Sequence, residues 1–193
     1  SLTATALTAF GNVCINTTTG PNTFTISGSN LTTSDVTVGA LAGYTYSTTA
    51  GGTYTASLTL TQPGGTFSQT VYVNFTPVAV QSYDGNIPVA GGGVSTAVNA
   101  AATGAGINTA ATVTSGAASS VTTGTATVAG TVTATGCSAL TGYGIEYSTT
   151  AGFPNGSGTA VASTNISAGN FTSALTGLTA STVYYYHAYA TNG

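Results

Sequence analysis

The stretch LTGLTASTVYYYHAYATN, residues 175–192, decides the fold class of this chain. Its even-numbered positions form one series: Leu178, Thr182, Tyr184, Tyr186, Ala188, Ala190 and Asn192. Alternation with a period of two is typical of a β-strand that buries one face. The whole chain agrees, because it has no Lys, Arg or Met and is rich in Thr, Val and Gly, which favour strands and turns. We therefore predict an all-β protein.

The charge of the chain excludes several classes of function. The only acids are Asp35, Asp84 and Glu146, and there is no basic residue except one His. Binding to nucleic acid or to anionic lipid requires Lys or Arg, so neither partner is expected. No apolar run approaches about 20 residues, so no membrane span is predicted. The first ten residues lack a basic start and do not resemble a signal peptide, so we expect a mature chain or a piece of a longer one.

Strand-like runs alternate with Gly, Asn and Pro along the whole chain. In the first half we predict strands at 3–10, 22–28, 35–38, 44–48, 54–61, 67–76, 85–89 and 95–103. In the second half we predict strands at 112–115, 125–133, 142–148, 159–163, 170–175 and 183–191. Within 67–76, Val71, Val73 and Phe75 share one face and Tyr72 and Asn74 the other, as in a half-buried antiparallel strand.

The segment TGAGINTAA, residues 103–111, is small and lacks bulky side chains, so it is predicted to be a short linker. It divides the chain into two tandem β-sandwich domains, residues 1–107 and 108–193. The hexapeptide YSTTAG occurs at 46–51 and again at 147–152, with different flanks. We interpret it as one strand ending and its turn, used in two related but different sandwiches.

The second domain resembles a fibronectin type III domain. Residues 175–192 resemble the F strand of that family, with Tyr184 at the position of the tyrosine corner. GYGIEYSTT, residues 142–150, resembles the C strand, and its residues Tyr143, Ile145 and Tyr147 would point inward. Val128 and Gly130 occupy the region of the Trp that is usual in strand B, which indicates a divergent branch. The G strand that would follow F is missing, so either the chain continues or a strand of another chain completes the sheet.

The first domain resembles an Ig-like companion module. The matching segments are FTISGSNLT (24–32), GYTYSTTAGGTYTASLTL (43–60), TVYVNFTP (70–77) and AATGAG (101–106). Together the two modules resemble giant repetitive surface adhesins of gliding bacteria, which are exported by the type IX secretion system. The resemblance implies a structural repeat unit at the extracellular bacterial cell surface, with a role in gliding motility and attachment, and no enzymatic activity.

The partners implied are neighbouring modules of the same protein or filament, and polysaccharide or abiotic surfaces. Two other functions stay open. One is a filament subunit completed by a donor strand, because an unpaired F strand is a template for pairing. The other is a carbohydrate-binding module, in which outward tyrosines such as Tyr185 and Tyr189 would stack on sugars.

His187 and Glu146 are the strongest candidates for chemistry. If Tyr186 and Ala188 face the core, His187 faces outward, and the same parity turns Glu146 outward on the neighbouring C strand. We expect a cross-strand pair at the surface, worth at most about 1 kcal/mol. The alternative is an acid–base dyad, which is disfavoured because no motif places a nucleophile beside it. One His, two distant Cys and isolated Asp residues predict neither a metal site nor a cofactor.

The two cysteines are candidates for a disulfide. Cys14 is expected in the AB loop of the first module, and Cys137 in the BC loop of the second. A sandwich with an odd number of strands is entered at one pole and left at the other, so these loops would meet where two modules join head to tail. A Cys14–Cys137 disulfide would then staple the junction. Two separate buried thiols, or pairing with neighbouring modules, remain alternatives.

Overall fold

The computed structural model describes residues 1–193, and the chain folds as two compact units, 1–108 and 109–193. Sixteen β-strands account for the regular structure of both units, and there is no helix. The predicted fold class is therefore confirmed: the chain is all-β and each unit is built from packed sheets. The structure contains no helix with the length and apolar character that crossing a membrane demands.

Unit 1 contains ten strands, of which eight form two four-stranded sheets. The strands are β1 (Leu2–Ala4), β2 (Asn12–Cys14), β3 (Thr19–Leu31), β4 (Val36–Val38), β5 (Tyr44–Ser47), β6 (Leu58–Leu60), β7 (Gly65–Phe75), β8 (Gly85–Gly91), β9 (Val94–Ala102) and β10 (Ala105–Ile107). One sheet has the order β1-β3-β7-β5 and the other the order β6-β4-β8-β9. The remaining two strands, β2 and β10, form a small parallel pair.

The core of unit 1 follows from the alternation along β7. Val71, Val73 and Phe75 are fully buried, whereas Tyr72 and Asn74 on the opposite face are half-buried, as predicted. Four aromatic rings, those of Phe10, Tyr44, Phe75 and Tyr83, pack around one another with Phe75 in contact with each of the others. Burying an aromatic or aliphatic side chain contributes about 1.5–3 kcal/mol, so this cluster contributes substantially to the stability of the unit.

Unit 2 is a sandwich of two three-stranded sheets. Its strands are β11 (Thr112–Ser119), β12 (Thr125–Ala134), β13 (Leu140–Ser148), β14 (Thr159–Ala162), β15 (Asn170–Thr176) and β16 (Tyr185–Asn192). The sheets have the orders β11-β12-β15 and β14-β13-β16, which is the A-B-E and C′-C-F arrangement of a fibronectin type III sandwich. The buried residues Val128, Ile145, Phe171, Leu175 and Ala188 form the core between them.

Gly130 explains why the usual Trp of strand B is absent. It lies directly opposite Phe171 on the neighbouring strand, and a Cβ at position 130 would overlap the ring of Phe171. The aromatic side chain that fills this part of the core therefore comes from β15 and not from β12. The glycine leaves the space that the ring needs.

All fourteen predicted strands have a counterpart, but two strands were missed and several predictions were wrong in extent; the strand predicted at 54–61, for example, is confined to Leu58–Leu60. The strand predicted at 3–10 ends at Ala4, and β2 follows it as a separate strand. The predicted linker 103–111 contains β10, which pairs with β2 and belongs to unit 1. Both missed strands have three residues, which is too short for a periodic pattern to register.

The two YSTTAG segments have the same local structure. The strands β5 and β13 end at Ser47 and Ser148, the serines of the two copies. In each copy the Ser hydroxyl accepts a hydrogen bond from the amide two residues later, at 3.3 Å from Thr49 and at 3.1 Å from Thr150. Such a Ser turn ends a strand locally. The repeat is thus a shared strand ending in two different sheets.

Candidate functional site

A cluster of hydrogen bonds surrounds the buried carboxylate of Glu146. This residue lies in the middle strand of its sheet, opposite His187 on β16. Its carboxylate accepts hydrogen bonds from the amides of Gly156 at 2.8 Å and Gly158 at 2.6 Å. The Nε2 atom of His187 is 2.9 Å from the same carboxylate, and it donates because an ionised carboxylate only accepts. We call Glu146, His187, Phe153, Gly156 and Gly158 the Glu146 cluster.

Glu146 and His187 form the expected cross-strand pair, but the expectation that this pair lies at the surface is wrong. Both side chains lie on the outer face of the sheet, but the loop between β13 and β14 folds over them. Glu146 is only 4% exposed, and the ring of Phe153 stacks on the imidazole of His187 with centroids 4.5 Å apart. Parity along a strand gives the face of a side chain, and it does not say whether a loop covers that face.

The electrostatics of the cluster favour the charged carboxylate. The hydrogen bond from the Gly156 amide is the largest cause, and together with those from Gly158 and His187 it holds the pKa of Glu146 below its usual value. Burial acts in the opposite direction and is outweighed. A buried carboxylate with three donors is a fixed structural anion, since breaking any of these bonds would leave a charge poorly solvated.

This arrangement anchors a loop. Both oxygen atoms of the carboxylate are engaged, and Phe153 covers one face of the imidazole. No Ser, Thr or Cys side chain forms a hydrogen bond with His187, as a nucleophile activated by it would. No group of three or more His, Cys, Asp and Glu side chains converges as metal ligands do.

Two tyrosine hydroxyl groups tie strand connections to the strands that follow them. The hydroxyl of Tyr184, the residue predicted to form a tyrosine corner, accepts a hydrogen bond from the amide of Thr179 at 3.0 Å, which lowers its pKa. In unit 1 the hydroxyl of Tyr83 accepts two, from Val78 and Ala79, each at 2.9 Å. Sequence reasoning missed Tyr83. The available signal was a Tyr eight residues after the last residue of a strand, Phe75 in unit 1 and Thr176 in unit 2.

A second buried polar side chain, Gln62, was also missed. Its amide nitrogen is within hydrogen-bonding distance of the carbonyl oxygens of Thr32 and Ser34, and its amide oxygen accepts from Gly64 at 2.7 Å. Gln62 is therefore a connector between two loops of unit 1. A single Gln after a short strand carries no pattern that would predict this role.

Both cysteines are disulfide-bonded, and neither is a free thiol. Cys14 is the last residue of β2, so the expectation that it lies in a loop was wrong. Cys137 lies in the connection between β12 and β13, the BC loop of the sandwich. Its amide donates to the carbonyl oxygen of Thr109 at 3.0 Å, which fixes the start of that loop.

The outer face of β16 does not form a flat aromatic platform. Tyr185 is 42% exposed, whereas His187 lies under Phe153 and Tyr189 folds down so that its hydroxyl lies over Gly144. A carbohydrate-binding surface of three exposed rings, which would favour that function, is not formed.

Comparison with known proteins finds similarity among solved structures alone. No protein-family model and no curated protein matches the chain. Among solved structures, the chain is similar to the crystal structure of the chicken CNTN1 FN1–FN3 domains, with 13% sequence identity and a TM-score of 0.33. The alignment covers 100% of this chain and 58% of that one, so the chain spans little more than half of that structure.

Proposed function

We propose that the chain is a pair of structural modules from an extracellular surface protein. The observation that carries this proposal is that the Glu146 cluster, which contains the only buried charged side chain, is fully engaged in holding a loop. The tyrosine hydroxyls at positions 83 and 184 act in the same way. Two sandwiches in series, with side chains committed to stabilising their own connections, fit a spacer better than an enzyme.

The proposed location is the extracellular face of a bacterial cell. Disulfide-bonded cysteines support it, because disulfides persist in oxidising compartments. The lack of Lys and Arg supports it too, since proteases that cleave after basic residues find no site in the chain. The finer role, in an adhesin or filament of the gliding machinery with type IX secretion, rests on the resemblance of residues 24–32, 43–60, 142–150 and 175–192. Its partners would be neighbouring modules and the surfaces to which the cell attaches.

A Cys14–Cys137 disulfide is part of this proposal. Such a bond would link the two units covalently and close a loop of more than 100 residues, which stabilises a fold by about 4–5 kcal/mol in the chain-entropy model. For a shaft under tension, it would also shield the enclosed residues from extension.

Single-molecule stretching of the chain between its termini tests the proposal. Under reducing conditions we expect two unfolding events, one from each unit. In the oxidised chain we expect the fully stretched length to be shorter by roughly 400 Å, because the residues between Cys14 and Cys137 cannot extend. Equal lengths in the two conditions would exclude this pairing.

Binding measurements distinguish the structural role from recognition of a ligand. We expect no saturable binding to a panel of soluble bacterial and plant polysaccharides, measured by affinity electrophoresis. The matched variant is Tyr185→Ala, which removes the most exposed ring of β16. Saturable binding that this variant abolishes would overturn the structural proposal and establish a carbohydrate-binding module.

A further inference from the structure

The connection between β13 and β14, residues 149–158, covers the Glu146 cluster, and we call this segment the flap. Phe153 is its only buried side chain, because the residues from 149 to 152 and from 154 to 157 are all exposed. The amides of Gly156 and Gly158 donate to the carboxylate of Glu146, and the remaining hydrogen bonds of the flap lie within it or reach Ser148 beside it. One carboxylate and one ring therefore hold the flap on the sheet.

Two clefts border the flap, so its packing against the sheet is incomplete. One has a volume of about 360 Å³ and lies between Phe153 and the aromatic side chains of β16. The other has a volume of about 490 Å³ and reaches from Asn155 and Gly156 to Ala190. Segments with few buried apolar contacts open locally, at a lower free energy than global unfolding requires. The flap has this character, whereas the core of unit 2 lies on the opposite face of β13, where Ile145 is buried.

Protonation of one group weakens these anchors. Glu146 is the only acidic residue of unit 2, and His187 is its only His. Around Glu146, β16 presents His187 between Tyr185 and Tyr189, and neither β14 nor the flap carries a titratable side chain. His187 has an N–H to donate whether its ring is neutral or protonated, whereas a protonated carboxyl is neutral and loses acceptor capacity. The decisive event is therefore the protonation of Glu146.

We propose that the flap is an acid-sensitive conformational switch: protonation of Glu146 opens residues 149–158 while the sandwich of unit 2 stays folded. Opening uncovers the ring of Phe153 and the imidazole of His187 on the outer face of the sheet. The sheet itself persists, because β13 is paired with β14 and β16 through backbone ladders that do not use the carboxylate. This inference uses only the geometry of unit 2 and does not depend on the proposed function.

The direction of the switch follows from proton linkage. The closed flap lowers the pKa of Glu146, chiefly through the hydrogen bond from the Gly156 amide, so Glu146 binds a proton more tightly when the flap is open. The charged carboxylate therefore favours the closed flap above the ordinary pKa of a glutamate, about 4.3. This advantage is lost as the pH falls from there through the lower pKa of the closed state.

Hydrogen exchange of the 193-residue chain, followed by NMR at about pH 6.5 and about pH 2.5, tests the proposal. The protection factors of the Gly156 and Gly158 amides are compared with those of β12, the middle strand of the other sheet. We expect the protection of both glycine amides to fall at least tenfold in acid relative to that of β12. Unchanged protection of the glycines would overturn the proposal. So would an equal loss in β12, because the whole unit would then unfold together.

Two variants remove one anchor each. Glu146→Gln removes the charge, so the protection of the flap amides should already be at least tenfold lower than in wild type at about pH 6.5, and it should no longer depend on pH. Phe153→Ala keeps the carboxylate but removes the ring, so the flap should open at a higher pH than in wild type. If Glu146→Gln does not fold, as judged by circular dichroism, an unchanged opening pH in Phe153→Ala contradicts the proposal on its own.

The matched control is Asp35→Asn, which removes an exposed carboxylate from unit 1. We expect this variant to show the same loss of protection at Gly156 and Gly158 in acid as wild type. If Asp35→Asn abolished that loss, the response would belong to a carboxylate outside the flap, and the switch assigned to Glu146 would be wrong.

Discussion

At the scale of single residues, two tyrosines of one aromatic cluster differ in what their hydroxyl groups contact. Tyr44 stacks on Phe75, and its buried hydroxyl has no hydrogen-bond partner. Burial, with a smaller contribution from the charge of Asp84, raises the pKa of Tyr44 to about 12. Tyr83 packs against the same ring, and its hydroxyl accepts two amide hydrogen bonds. An unpartnered buried hydroxyl costs free energy, whereas a partnered one stabilises the fold.

We therefore expect removal of the hydroxyl to have opposite effects at these two positions. Tyr44→Phe should leave the free energy of unfolding unchanged or raise it by up to about 1 kcal/mol, and Tyr83→Phe should lower it by about 1–2 kcal/mol. Urea unfolding of the two variants measures the difference, and each serves as the control for the other. A loss of similar size in both would show that the Tyr44 hydroxyl has a partner.

A second prediction at this scale concerns Glu146 and pH. Because the pKa of Glu146 is lower in the folded chain than in the unfolded chain, its contribution to stability is present above the unfolded pKa. It is lost as pH falls below about 4, through the folded pKa. Glu146→Gln should cost about 2 kcal/mol at neutral pH, since the carboxylate accepts three hydrogen bonds, and the cost should shrink in acid.

Thermal unfolding of wild type and Glu146→Gln at a series of pH values measures this effect. The matched control is Asp35→Asn, which removes a carboxylate from an exposed position. We expect the control to leave the melting temperature at neutral pH nearly unchanged. A constant difference between wild type and Glu146→Gln down to the most acidic pH would contradict the role assigned to the charge.

At the scale of elements, the pairing of β12 with β15 depends on one glycine. A Cβ at position 130 would overlap the ring of Phe171, so Gly130→Ala should lower the free energy of unfolding by about 1–3 kcal/mol through overpacking. Gly124→Ala is the control, because its Cβ would have only the carbonyl oxygen of Leu178 within reach, at 3.7 Å. Chemical denaturation measures the free energy of unfolding of both variants. Equal values would mean that the ring of Phe171 moves aside without a loss of stability.

The strands also show which parts of the fold can be predicted from the sequence. Alternation placed β7 and β16 with the correct faces, because sheets with one buried face impose a period of two. Alternation could not identify β2 and β10, because both strands are short. They pair with each other in parallel, although they lie more than 90 residues apart in the sequence. Alternation correctly predicted that Glu146 lies on the outer face. The loop that covers this face is held by the backbone amides of Gly156 and Gly158, and glycines have no side chain from which such a contact could be predicted.

At the scale of the whole molecule, the lack of charge predicts an unusual response to salt. The chain has three acids, one His and no Lys or Arg, so screening has few interactions to weaken. We expect the melting temperature to change by less than about 2 °C between about 0.02 and 0.5 M sodium chloride. Sodium sulfate is the control, because sulfate strengthens apolar burial and should raise the melting temperature. A large change of the melting temperature in sodium chloride would contradict this prediction, because it would require long-range charge interactions that the composition does not provide.

The loop held by Glu146 has a consequence for chemical ageing. Asn155 and Gly156 form an Asn-Gly pair, the sequence most prone to spontaneous deamidation, in which the glycine nitrogen attacks the side-chain amide of the asparagine. Here the hydrogen of that nitrogen is donated to a buried carboxylate, so this hydrogen bond must break before the nitrogen can lose its proton and attack. We therefore expect the hydrogen bond that anchors the loop to slow the deamidation of Asn155 as well.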